Sequence, residues 1–302
     1  MTSKNRSELF QTVRFETWEQ TREVLRQFPV SWVFRGQCDS TYSLITSVQR
    51  LPPVVTGGVE LGAPALPLLE QSILDRFKRQ ARNYDLNYVP ADDDALGWLS
   101  LLQHYGAPTR LLDWTRSPFV ACFFALEAAR KEAAIWAIDH IWLRNRAWEV
   151  VRAAWPEKIV KEISSRTNSE GIILQVLLEK FSGLGAPLAP KFVMPIEPSI
   201  ANPRVATQHG LFTFPADITS SFMENLGGQA DAESPRRMVK ICLQETWRAE
   251  VLFELFQNNI SRASLFPGLD GFAQSLGTTV WAELCEPDPS ATEKTLGGFP
   301  FE

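Results

Sequence analysis

The chain of 302 residues has no G-x-G-x-x-G, no Walker A sequence and no G-x-S-x-G elbow. The usual marks of a Rossmann dinucleotide site, a P-loop and an α/β-hydrolase are therefore missing. Cysteine is scarce: Cys38, Cys122, Cys242 and Cys285 form no C-x-x-C and no zinc-ligand pattern. Cys122 lies in the apolar run Phe119 to Ala125, as a buried small hydrophobe would. Unpatterned cysteines suit a reducing, cytoplasmic setting. Histidine is scarcer still, at three, and neither His104 nor His140 has a histidine or cysteine at ligand spacing, so no metal is expected. No apolar run approaches the roughly 20 residues that span a bilayer, and the stretch Met1 to Glu8 has no apolar core, so neither membrane segment nor signal peptide is expected. Charge of one sign is not in excess: the net charge is -5, which argues against a uniformly basic nucleic-acid binder but leaves a local basic groove open.

What is present is a chain with 45% hydrophobic residues, enough for a sizeable core. Thr17 to Phe28 has the spacing of an amphipathic helix, and Ser31 to Gly36 that of a short buried strand. Leu51 to Pro67 is rich in proline and glycine and reads as a loop; Leu69 to Arg82 reads as a helix with a basic face. Asp92 to Asp94 caps a helix running to about Tyr105, where Gly106 stops it. Thr109 to Thr115 is expected to be a strand, and Ser117-Pro118 to open a buried helix reaching about Lys131. Strands are expected at 133–138, 191–194, 205–214 and 238–243, helices across 141–181, over 252–257 and from Phe272 onward, and a polar loop over 220–237. Short strands among irregular helices, without a βαβ rhythm, indicate an α+β fold.

Two segments concentrate polar chemistry. Phe34-Arg35-Gly36-Gln37 sets an arginine in an aromatic strand. Such a guanidinium either grips a phosphate or carboxylate in bidentate fashion, with Gly36 letting the ligand approach, or pairs with a core carboxylate. Gln103-His104-Tyr105-Gly106 with Thr109-Arg110-Leu111-Leu112-Asp113-Trp114-Thr115 sets ionisable groups between two apolar helices. Asp113 is placed to pair with Arg35 or Arg110, and His104 suits a helix C-terminus. A third segment, Arg204 to Thr213, offers Gln208 as a polar handle on a strand; Ser264 to Phe272 reads as a turn and helix cap. Lys78, Arg79 and Arg82 share a helix and are either a phosphate-tracking face or plain solvated surface.

These segments, with Tyr42-Ser43-Leu44, the Ser117-Pro118 to Ala125 helix and Leu265 to Gly271, resemble the FRG family, named for its Phe-Arg-Gly motif, across about 30–276. The layout is similar, more distantly, to ADP-ribosyltransferases. That resemblance implies a split mixed or antiparallel sheet core, with residues 1–30 as an N-terminal helical segment, 31–276 as the domain, a helical insertion at about 141–190, and 277–302 as a tail. It implies NAD as substrate in a glycosyl-type transfer to a macromolecular acceptor, RNA, DNA or protein, and an association with toxin–antitoxin or anti-phage defence partners. The catalytic positions it implies are Arg35, His104, Asp113 and Gln208; the NAD-binding ones are Phe34, Arg35, Gly36, Gln37, Tyr105, Thr109, Arg110, Thr115 and Ser117. Tyr105 would stack on nicotinamide, and Thr115 and Gln208 would hold ribose hydroxyls. The chain departs from the ADP-ribosyltransferase pattern at Gln208, where a catalytic glutamate is expected, leaving Asp113 or Glu250 to serve. The alternatives are a non-catalytic nucleotide- or phosphate-binding module and an interaction subunit docking through Trp142 to Trp155.

Overall fold

A computed structural model describes residues 9–284, apart from 54, 57, 58, 61, 85, 87, 183–185 and 199–202. Its centre is a seven-stranded mixed sheet. The strands are β1 (Gln11–Arg14), β2 (Trp32–Gln37), β5 (Leu112–Thr115), β6 (Ala133–Asp139), β7 (Val193–Ile196), β8 (Gly210–Pro215) and β9 (Met238–Leu243); β3 (Val55–Thr56) and β4 (Val59–Glu60) form a separate small hairpin. The order is β1-β9-β6-β2-β5-β8-β7, every neighbouring pair being antiparallel except β1 with β9. The α+β expectation holds.

The helices are α1 (Trp18–Arg26), α2 (Leu66–Ala81), α3 (Ala95–His104), α4 (Pro118–Leu126), α5 (His140–Ala154), α6 (Glu157–Ser164), α7 (Ser169–Lys180), α8 (Pro203–Thr207), α9 (Phe222–Gly228), α10 (Ser234–Arg237), α11 (Arg248–Gln257), α12 (Arg262–Leu265) and α13 (Leu269–Leu284). Among the described residues none is long and apolar enough to cross a membrane. Phe34, Ile135, Ala137 and Ile241 pack under α1, α4 and α11; Val33, Trp114, Trp136 and Leu226 form a second cluster; α2, α3, α6 and α7 close a third over β7 and β8.

Chain chemistry explains the elements that frame the site. The Asp94 side chain accepts from Gly97 N at 2.9 Å and starts α3, and Gly106, at φ 81°, ends it in the left-handed conformation that glycine tolerates. Ser117 caps α4 through Val120 N, with Pro118 in the first turn. α4 stops at Leu126, short of Lys131. The Arg248 guanidinium takes the carbonyls of Leu126 and Glu127, both at 2.8 Å, which closes the helix end.

Gly36 serves packing rather than ligand access. A Cβ there would sit 2.1 Å from Ala121 O and 2.5 Å from Ala125 N, so only glycine lets β2 lie against the α4 backbone. Backbone cannot yield as a side chain can. Gly36→Ala is therefore expected to cost about 3 kcal/mol or more, the upper end of overpacking. Urea denaturation measures this, and a loss near zero would show that α4 shifts freely.

Three expectations are corrected. Residues 205–214 are not one strand: Pro203 opens α8, His209 turns at φ 48°, and β8 begins only at Gly210. Residues 220–237 are not loop. The Ser221 hydroxyl accepts from Glu224 N while the Glu224 carboxylate accepts from Ser221 N, a reciprocal cap that starts α9. The N-terminal segment carries β1, paired in parallel with β9, ahead of its helix. Of the expected tail, 277–284 continue α13; residues 285–302, Cys285 included, lie outside the described residues.

Candidate functional site

The sheet is pinched at its middle. β2 and β5 share a single residue pair, Phe34 with Thr115. Past that pair the Arg35 side chain enters the seam, and its Nη1 donates to the Asp113 carbonyl oxygen at 2.7 Å. A guanidinium thus ties the two strands where the ladder stops.

The seam opens into a cleft of about 240 Å³. Arg35, His104, Asp113 and Gln208 all line it, together with Arg50 and Arg204. Four candidates drawn from strand β2, the end of α3, strand β5 and the turn after α8 thus line one cleft. The lining holds three guanidiniums and one carboxylate, so two positive charges are uncompensated there. An anion is the natural occupant.

Each group is held in a defined way. Asp113 Oδ1 accepts from Gln103 Nε2 at 2.7 Å, and Gln103 Oε1 accepts from the Thr109 hydroxyl. Gln103 therefore orients the carboxylate, which is 58% exposed and lies 3.9 Å from Arg35 Nη1. Arg35 keeps 20% of its side-chain surface exposed, while its Nε is buried and has no partner. Burial pushes the Arg35 pKa down; Asp113 opposes this and Arg50 adds to it. Burial also lowers Arg204, again opposed by Asp113 and reinforced by Arg262. Arg204 lies 4.5 Å from the Phe266 ring centroid, and Arg262 lies 4.8 Å from it. Arg204 makes no salt bridge among the described residues.

His104 has a buried, unpartnered Nδ1. Burial first, and then Arg204, hold its pKa below the ordinary 6.5. The unfolded chain consequently takes up a proton near pH 6.5 that the folded chain resists, so stability falls as pH drops from 6.5 through the folded value. Melting temperatures recorded from pH 7.5 down to about 5 are expected to decline less for His104→Asn than for the parent. Parallel declines would assign the loss to other groups.

The other expected site residues are elsewhere. Phe34 and Gly36 alternate with Arg35 along β2 and face α4; Phe34 packs edge-on against Phe28 at 5.3 Å. Gln37 accepts from Trp136 Nε1 at 2.7 Å and donates to Ser43 O at 3.2 Å. Thr109 is fully buried, its backbone N donating to Ser47 Oγ at 2.9 Å. Arg110 does not pair with Asp113. Its Nε and Nη2 reach Glu70 Oε2 at 2.7 and 2.5 Å, and its backbone N reaches Glu70 Oε1 at 3.0 Å, all deeply buried. The Thr115 hydroxyl donates to Gln208 O at 2.6 Å and accepts from Ser117 N at 3.0 Å, and Ser117 is spent as a cap. Tyr105 points out of the cleft, 59% exposed. Gln208 reaches the cleft from a turn rather than a strand, with Nε2 donating to Leu265 O at 3.0 Å. Phe34, Gly36, Gln37, Tyr105, Thr109, Arg110, Thr115 and Ser117 do not line the cleft, a correction to their expected ligand contacts, whereas Gln208 does. Where such a side chain is polar and below the surface, the nearest backbone group or buried ion has taken it.

Sequence reasoning missed Arg50 and Gln103 as site residues and weighed Arg204 only as part of a motif. Gln103 stands in the same segment as His104, so its position was visible although its bond to Asp113 was not. Among the described residues no group of three or more His, Cys, Asp or Glu could hold a metal.

Comparison with curated proteins finds no match, and comparison with solved structures finds none. The family comparison does: residues 30–134, which carry Arg35, Gln103, His104 and Asp113, match the FRG domain.

Proposed function

We propose that the cleft binds the phosphates of a nucleotide, that the nucleotide is NAD, and that the protein is an ADP-ribosyltransferase-like enzyme acting on a macromolecular acceptor. The observation that carries this is that Arg35, Arg50 and Arg204 line one cleft with a single carboxylate, Asp113, at the pinched strand seam. Guanidiniums suit a pyrophosphate because planar N–H pairs match its oxygens. Asp113, held by Gln103, supplies negative charge in the same space. In the reaction the bond from ribose C1′ to the nicotinamide nitrogen breaks, and its electron pair leaves with nicotinamide. Positive charge spreads over C1′ and the ring oxygen, where Asp113 stabilises it. A lone pair on the acceptor then bonds to C1′, and the acceptor's proton passes to solvent. Gln208 Oε1, without a partner among the described residues, is free to accept from a ribose hydroxyl.

Nicotinamide release from NAD in the presence of candidate acceptors tests the reading. Asp113→Asn keeps the size and the Gln103 contact but removes the charge. It is expected to bind NAD within a few-fold of the parent and to turn over at least about 100-fold more slowly, the scale of losing one electrostatic stabiliser. Equal turnover in Asp113→Asn would remove this carboxylate from the chemistry.

A second reading, a nucleotide-binding module without turnover, is favoured by two facts. Asp113 is the one carboxylate in the lining, and 240 Å³ is below the usual 300–1,000 Å³ of small-molecule sites. Saturable NAD binding that depends on Arg35, with no nicotinamide released, would select it. The defence or toxin–antitoxin setting rests on the resemblance alone.

A further inference from the structure

A larger recess lies on the other side of the turn that ends α3. It measures about 650 Å³ and runs between α2 and α3. Its floor is apolar, with Ile73, Phe77 and Leu102; its rim carries Arg76, Tyr84 and Tyr105. Tyr84 is 71% and Tyr105 59% exposed, two flat rings left in water beside apolar surface. Ile73, Arg76, Phe77 and Gln80 line it from α2 at the spacing of one helical face. Ala107 lines both this recess and the Arg35 cleft.

The charge on α2 is divided. Lys78 is occupied, donating to Asp92 O at 3.0 Å and lying 5.6 Å from the Trp98 ring centroid, and Arg82 pairs with Asp92 at 2.5 Å. Arg76 and Arg79, one turn apart, have no carboxylate partner among the described residues. Two tyrosine rings over an apolar floor, with the unpaired Arg76 guanidinium on the rim and Arg79 one turn further along α2, complement a strand of unpaired bases. Rings stack on any base, and arginines meet its phosphates. A duplex hides its base faces, and the net charge of -5 gives no general attraction to one.

We infer that this recess is a base-stacking site for single-stranded nucleic acid, which it holds one residue's breadth from the cleft as the acceptor strand. The acceptor role rests on the reading of the cleft given above; the binding does not.

Fluorescence anisotropy with a labelled single-stranded oligonucleotide of about 12 nucleotides, its duplex, and AMP as competitor tests it, at low salt where phosphate contacts are strongest. The single strand is expected to bind more tightly than the duplex. Tyr84→Ala with Tyr105→Ala is expected to weaken it at least about 10-fold, since each stacked base contributes on that scale. Tyr84→Phe with Tyr105→Phe keeps the rings and should bind like the parent. Absence of binding, indifference to the alanine pair, equal affinity for duplex, or competition by AMP as tight as the strand itself would each overturn the inference. Arg35→Ala separates the two ideas: lost NAD binding with retained strand binding leaves both intact. A parent protein that binds the strand but not NAD upholds the recess and rejects the reading of the cleft.

Discussion

Replacing Arg35 with alanine is expected to weaken NAD binding by about 100-fold or more and to leave the chain folded. Two charge-assisted hydrogen bonds to one pyrophosphate are worth about 3–6 kcal/mol together, and each 1.4 kcal/mol is tenfold in affinity. The guanidinium is suited to that load because it is already ordered, with Nη1 fixed on the Asp113 carbonyl at 2.7 Å. Little rotamer entropy is then lost on binding. Lysine retains the charge and loses the fork, so Arg35→Lys is expected to recover only a minor part of the affinity. The structural cost is smaller. The substitution removes one tie across a seam that has a single ladder pair, worth about 1 kcal/mol. Calorimetric titration and a thermal melt on the same samples separate the two effects. A large drop in melting temperature with unaltered NAD affinity would make Arg35 a strand clamp only.

Arg110 behaves in the opposite way. Glu70→Ala or Arg110→Ala leaves the surviving charge stranded in a site where both side chains are about 1–2% exposed. Removing one member of a buried ion pair costs about 3–5 kcal/mol, a large share of the stability of an ordinary domain. The carboxylate also accepts from the Arg110 backbone, so Glu70→Ala orphans an N–H as well and is expected to be the worse of the two. Replacing both together, as Glu70→Leu with Arg110→Met, restores much of the loss because no buried charge is left unpaired. Urea denaturation of the three variants measures this. Near-equal midpoints for parent and single variants would mean that water reaches the pair. The contrast with Arg35 is physical. One arginine has its charge answered inside the core and the other opens to a cleft, although both stand in short polar motifs.

That contrast marks where the sequence stops being informative. The Trp32–Gln37 strand, the Asp94 cap and the Gly106 stop could be read directly because each depends on residues within one turn of it. The α9 start was equally local, in Ser221-x-x-Glu224, and its polar surroundings hid it. What could not be read is any partner supplied by tertiary structure. Glu70 lies forty residues before Arg110, and Leu265 captures the Gln208 amide from α12. Arg248 ends α4 from more than a hundred residues away. In sequence Gly36 suits ligand access, since nothing in its neighbours announces that α4 presses on it. The cleft was legible as a set of chemical types: Arg35, His104, Asp113 and Gln208 do meet. Its charge balance was not, because Arg50 joins it from a short 3-10 turn with no motif of its own and Arg204 from α8, and nothing local says that either side chain ends beside Arg35.

The central claim is that uncompensated guanidiniums around Asp113 hold a nucleotide's phosphates. Calorimetric titration of NAD into the parent protein and into Arg35→Ala tests it most directly. Saturable one-to-one binding by the parent, weakened about 100-fold or more in the variant, is the expected result. A parent protein that takes up no NAD, or a variant that binds it as tightly as the parent, would contradict it.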